Sequence, residues 1–383
     1  MLGRLGQLPS TIWLLGLISL INDTASDLIY PLIPIYLASV LMAGPRTLGI
    51  IEGVAEACAS LLKLVAGVIT DRTGQPKRWV IFGYSLAALS RPALTIAGGW
   101  LAVLACRLAD RIGKGFRSAP RDALLAHYAA DSDRGLAFGL HRAMDNAGAV
   151  IGPLAAAGML ASGMALRDIF IWSCLPGIAV VTLTLMLREP AMPRSEPTRR
   201  DWRLGLLPRP MRRYLMVLAL FTLGNSSNMF LLLRANEIGL PAQDVSLLWA
   251  LTSFTAAVLG TPLSALSDRI PRSWLICGGW LVYALVYLGL GGYSGTMLWP
   301  FFLIYGVFLA ATEGAEKALV ADLAPADRLG TAYGWYNLVC GALLLPASLV
   351  FGLLWQYLGA GTAFGFSATC ALSAAFLLHF WVK

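Results

Sequence analysis

Apolar residues fall along this chain in long blocks, separated by short connections rich in Arg, Lys, Gly and Pro. Thr11–Leu41, Trp79–Gly99, Ile169–Leu187, Tyr214–Leu233, Trp274–Leu290 and Thr362–Val382 are each long enough to cross a bilayer as a helix, roughly 20 residues. Lipid admits only helices or closed barrels as spanning structures, and barrel-type alternation of polar and apolar positions is absent. The breaks predict spans at 11–41, 47–70, 79–99, 100–118, 136–161, 166–187, 213–236, 243–266, 273–292, 296–318, 331–355 and 361–382, an all-α membrane protein with twelve transmembrane helices.

The longest polar stretch, Arg188–Arg213, is rich in Arg and Pro and reads as a solvated cytoplasmic linker over 188–212. It separates a six-helix bundle at 1–187 from a second at 213–383. The halves echo one another, which predicts a pseudo-symmetric pair with a substrate site near the midplane. Asp71-Arg72 returns as Asp268-Arg269, and Ala123-Leu124-Leu125-Ala126 with Asp133-Arg134 returns as Ala318-Leu319-Val320-Ala321 with Asp327-Arg328. Gly152-Pro153 has a counterpart near Pro346. Cations alternate between connections: Arg72, Lys77, Arg78, Arg117, Arg121, Arg134, Arg269, Arg272 and Arg328 lie on one side, with little beyond Arg46, Arg167 and Arg234 on the other. The positive-inside rule then places both termini in the cytoplasm.

Composition agrees: 57% of the 383 residues are hydrophobic and 13% charged, against about a quarter charged in soluble domains. The net charge of +8 is scattered over loops, which argues against a nucleic-acid partner. Cys58, Cys106, Cys174, Cys277, Cys340 and Cys370 lie in apolar stretches and read as small buried hydrophobes, with no metal spacing. No cleavable leader is expected, since the run after Arg4 passes Pro31 and Pro34 without a small-residue cleavage site. No nucleophile–base pair, metal-spaced His cluster or P-loop is visible, so neither an enzyme nor direct ATP driving is expected.

Charges inside the spans are the candidate chemistry, because each is costly in lipid and must face a cavity or a partner. Asp23 and Asp27 lie one turn apart on span 1, beside Asn22, Thr24 and Tyr30. Glu52 and Glu56 share a face of span 2; span 3 holds Arg91; span 4 holds Arg107, Asp110, Arg111 and Lys114; span 5 holds His141, Arg142 and Asp145. Buried carboxylates near cations can exchange a proton between conformations, although the same charges can form a static ion-pair network. The second half is more sparsely charged. Asn225, Ser226, Ser227 and Asn228 break span 7 where Asn22–Asp27 interrupt span 1, and Glu313, Glu316 and Lys317 lie in the inner half of span 10. Asn22, Tyr30, Glu52, Glu56, Asn225, Asn228, Trp335 and Tyr336 are the candidate substrate contacts.

The segment Gly67-Val68-Ile69-Thr70-Asp71-Arg72-Thr73-Gly74-Gln75-Pro76-Lys77-Arg78 resembles the loop signature of the major facilitator superfamily, departing from it at Ile69 and Gln75-Pro76. A weaker second copy carries Ser264, Asp268, Arg269 and Arg272. Gly139, Gly148 and Gly152-Pro153 in span 5 are similar to the motif of the superfamily's proton-coupled exporters, with Ala156-Ala157 in place of its final glycines. The resemblance implies the major facilitator fold, with span 5 packing tightly on span 8. It implies a monomeric transporter of the bacterial inner membrane that exports a small organic molecule, drug or metabolite, by proton antiport, with the proton gradient in place of any cofactor. Asp23, Asp27 and Asp145 would carry the proton, tuned by Arg107, Arg111 and Arg142. Gly67, Asp71, Arg72, Arg78, Gly148, Gly152, Pro153, Asp268 and Arg269 would gate the cycle. An importer of a metabolite, siderophore or metal complex remains the alternative, as does a non-transporting scaffold or receptor.

Overall fold

The computed structural model describes residues 8–130, 134–189, 203–267, 269–295, 297–325 and 328–382, with backbone alone at Leu64, Asp71, Arg72, Arg134, Gly135 and Gly330. Helices account for almost all of it, and no strand occurs among the described residues. In the first half these are α1 (Ser10–Ser39), α2 (Pro45–Thr73), α3 (Pro76–Ile96), α4 (Trp100–Tyr128), α5 (Arg134–Ala161) and α6 (Leu166–Leu185). In the second they are α7 (Arg209–Glu237), α8 (Ala242–Leu266), α9 (Arg272–Gly292), α10 (Trp299–Leu323), α11 (Leu329–Leu358) and α12 (Ala360–Trp381). Among the described residues, nine of these helices are long and apolar enough to cross a membrane. The other three are α4, α5 and α10, which carry Arg107, Asp145 and Glu316 among their charges.

The boundaries agree with the predicted spans to within five residues except at α4, expected to end near 118. It runs on to Tyr128, straight through Pro120. The extension is held because Leu124 and Leu125 enter the first half's core beside Ile12, Leu15, Val80 and Tyr84. Two helices are interrupted at matching places. In α1, Pro31 has no N–H to give the Asp27 carbonyl, so the helix breaks at Tyr30-Pro31. In α7, the helix ends at Gly224 and resumes at Met229.

The internal repeat is visible in the packing. Contacts of α1 with α5, α3 with α4, α3 with α6 and α1 with α6 return as α7 with α11, α9 with α10, α9 with α12 and α7 with α12. Small residues make both sets possible. A Cβ on Gly83 of α3 would meet the Gly113 carbonyl of α4 at 2.5 Å, and one on Gly279 of α9 would meet Thr312 of α10 at 2.6 Å.

The chain forms two compact units, Met1–Ile33 with Cys58–Thr198 and Pro34–Ala57 with Arg199–Lys383. The end of α1 and the first half of α2 thus belong to the second unit, where a Cβ on Gly53 would lie 3.0 Å from the Leu345 carbonyl of α11. Aliphatic side chains fill the first unit's core; the second is filled by stacked rings, with Phe221 on Trp280 at 4.4 Å and Tyr283 on Tyr287 at 4.0 Å.

Candidate functional site

The first unit's site is built on α4. Arg107, Asp110, Arg111, Lys114, Arg117 and Arg121 recur every three or four residues and so line one helix face. Arg107, Asp110, Arg111 and Arg117 are all at least 95% buried. Asp110 is the centre of the upper layer. Arg91 Nε donates to its Oδ1 at 3.0 Å, while Arg111 Nη1 and Arg107 Nη1 lie 3.4 and 3.7 Å from its Oδ2. Arg91 sits at the end of the α-helical part of α3 and also donates to the Asn22 carbonyl at 3.2 Å, tying three helices together. Arg107 lies over the Tyr30 ring, 5.9 Å from its centroid.

The lower layer contains the proton-carrier candidates. Asp23 accepts from Asn22 Nδ2 at 2.8 Å and lies within electrostatic reach of Asp145, Lys114, Arg117 and Arg121. Arg117 stacks over Tyr84 at 4.7 Å; Arg121 pairs with Asp122 at 3.0 Å and reaches Ser19 Oγ at 3.4 Å. Asp145 lies 3.5 Å from His141 Nδ1, one turn away on α5. Asp145 Oδ1 and His141 Nε2 are buried with no hydrogen-bond partner among the described residues. Arg142, expected to tune Asp145, is exposed.

The α5 glycines decide how these acids meet. A Cβ on Gly152 would lie 2.6 Å from the Thr24 carbonyl and 2.9 Å from the Asp27 carbonyl carbon, and one on Gly148 would meet the Leu20 carbonyl and, at 3.0 Å, the Asp23 Cβ. Expected from the motif to face helix 8, these glycines instead seat α5 on the acid-bearing stretch of α1. Gly139 of the same motif meets nothing within 4 Å. Pro153 is buried within α5 without ending it.

In the second unit, the unwound stretch of α7 is held by hydroxyls. Tyr283 donates to the Gly224 carbonyl at 2.8 Å and Tyr305 to Asn228 Oδ1 at 2.6 Å. The Ser227 N–H donates to Ser348 Oγ at 3.3 Å, and Ser227 Oγ to Glu52 at 3.2 Å. Glu52 is 1% exposed, whereas Glu56, Asn225 and Trp335 are half-buried. Tyr336, read as a substrate contact, donates to Glu316 at 3.0 Å. Among the gating residues, Gly67 lies 3.7 Å by a built Cβ from Ala119 of α4, and Arg78 and Arg269 are exposed. Asp268 and the side chains of Asp71 and Arg72 lie outside the described residues.

Sequence reasoning placed Arg91, Asp110 and His141 inside spans without a partner for Arg91 or His141, and put Arg117 and Arg121 at a helix end. The signal that finds them is the three-to-four-residue spacing of cations on α4, which continues past Pro120.

Twelve helices, nine of them long and apolar enough to cross a membrane, with buried charge inside them, define a polytopic membrane protein. The sequence profile of the Major Facilitator Superfamily matches residues 15–344 and 214–383. The chain belongs to that superfamily. It is 30% identical over 384 residues to an uncharacterized MFS-type transporter of Methanocaldococcus jannaschii, covering 98% of this chain and 95% of that one. It is 27% identical to the multidrug resistance protein MdtH of Edwardsiella ictaluri, over 81% of this chain and 78% of the relative. The solved structure of the nucleoside transporter NupG superposes with a TM-score of 0.81 at 12% identity, covering 96% of this chain and 99% of that one, which shows the shared fold.

Proposed function

We propose that this transporter exports a small organic molecule from the bacterial cytoplasm in exchange for protons, as a monomer in the inner membrane with both termini inside. The observation that carries the reading is the α1–α5 contact. Gly148 and Gly152 press the backbone of α5 against the turns of α1 that hold Asp23 and Asp27. A proton bound at Asp23, Asp27 or Asp145 changes the charge balance at a helix contact with no side-chain padding, so protonation and helix movement are linked. Lys114, Arg117 and Arg121 supply the opposing charge. The likeness to a multidrug resistance protein supports export of a foreign or waste molecule, and the cation-rich connections support the cytoplasmic termini.

The test is proton flux in everted membrane vesicles, with a pH-sensitive dye and a probe panel that begins with ethidium. Wild-type vesicles should lose their proton gradient on addition of a transported probe, and Asp23→Asn or Asp145→Asn should abolish that response while the protein remains folded. Undiminished flux in both variants would overturn the assignment. Accumulation in right-side-out vesicles instead would reverse the direction.

A further inference from the structure

The buried carboxylate of Glu316 takes no part in the first unit's network. It lies on α10 and is 8% exposed. Trp280 Nε1 donates to its Oε1 at 3.2 Å and Tyr336 Oη to its Oε2 at 3.0 Å. Among the described residues, no Lys or Arg forms an ion pair with it. Lys317, its chain neighbour, is 3.8 Å from Glu313 instead, and both of those side chains are half exposed. The titratable groups facing Glu316 are Tyr214 from α7, Tyr336 and Cys340 from α11, and Glu313 and Lys317 from its own helix; α9 contributes the indole of Trp280. A lone carboxylate held by neutral donors inside a membrane protein marks a functional position, because charge there is expensive unless it is paired or can be discharged.

The two donors are not equivalent. Trp280 is fully buried and its ring is stacked on Phe221 at 4.4 Å with 9° between the planes, so its N–H cannot turn away. An indole N–H only donates, which commits Oε1 to accepting in either protonation state. A tyrosine hydroxyl donates or accepts. When Oε2 takes a proton, Tyr336 can accept from it and turn its own hydrogen toward Cys340 Sγ, one turn along α11 and in electrostatic contact with Glu316. Every polar atom keeps a partner in both states. Only one O–H bond forms: a hydronium ion of the bulk phase gives up its proton to Oε2 and is left as water, and the reverse step returns the proton to water.

We infer that Glu316 is a proton-exchange site of the second unit, with Oε2 as the protonated atom and Tyr336 as the hydroxyl that switches between donor and acceptor. The site lies within the second unit and does not depend on which of the α1–α5 acids carries a coupled proton.

Infrared difference spectroscopy on the full-length protein in liposomes tests this with no transported probe. Stepping the pH should reveal a carboxylic-acid C=O band in the wild type that is lost in Glu316→Gln and retained in Asp23→Asn. Gln keeps an acceptor for Trp280 and a similar shape, so loss of the band with an unchanged amide spectrum identifies the group. Tyr336→Phe provides an independent arm: the band should persist but shift in frequency, because Oε2–H loses its acceptor. Identical pH-difference spectra for wild type, Glu316→Gln and Tyr336→Phe would overturn the inference. Loss of transport in Asp23→Asn would leave this result untouched, so the two assignments fail separately.

Discussion

The first unit holds four buried arginines around Asp110 and the α4 ladder, whereas the second holds a stack of rings around the lone carboxylate of Glu316. Yet the same helix pairs touch in both halves, α1 with α5 as α7 with α11 and α3 with α4 as α9 with α10. Close backbone contact at small residues sets the helix plan, and the remaining space accepts either ion pairs or aromatic packing. Fold and chemistry are therefore separable within this one chain.

The strongest way to break that contrast is Asp110→Ala. It removes the acid that Arg91, Arg107 and Arg111 share, and removing one partner of a buried pair costs about 3–5 kcal/mol. Thermal unfolding in detergent should show a large fall in midpoint; an unchanged midpoint would mean that the first unit is not held by charge. Gly152→Leu comes next, with an expected cost of about 1–3 kcal/mol for forcing a side chain against the α1 backbone. It should also lower transport of any probe that the wild type moves, and full activity would show that the α1–α5 contact is loose. Trp280→Phe is milder. Losing one hydrogen bond to a buried carboxylate while keeping a stacked ring should cost about 1.5–2 kcal/mol, read as a modest drop in the same unfolding midpoint. A larger drop would show that Trp280 anchors the second unit as Asp110 anchors the first. Gly139→Ala should change stability by no more than about 0.5 kcal/mol, because nothing lies within 4 Å of the added carbon. It is the control showing that not every glycine of the motif is a contact.

Much of the architecture was legible from position alone. The helix breaks at Tyr30-Pro31 and at Asn225–Asn228 follow from a missing N–H and from a run of amides and hydroxyls. The α4 boundary was missed because charge and Pro120 were read as the end of a span, when buried Leu124 and Leu125 carry the helix further. Asp23 and Asp145 lie within α1 and α5, and Arg142, expected to tune them, is exposed yet within electrostatic reach of Asp145. Glu316 was named with Glu313 and Lys317 in the inner half of span 10 but given no role, because those half-exposed neighbours disguise it as part of a solvated face.

What the sequence determined by itself was the helical membrane architecture, its internal repeat and the superfamily, because lipid forces apolar blocks of fixed length and close packing forces small residues at fixed places. What only the tertiary structure decided was the partner of each charge. Helical spacing states which face a residue occupies but not which helix stands opposite. Arg91 reaches Asp110 across 19 residues, Tyr336 reaches Glu316 across 20, and Trp280 reaches the same carboxylate across 36.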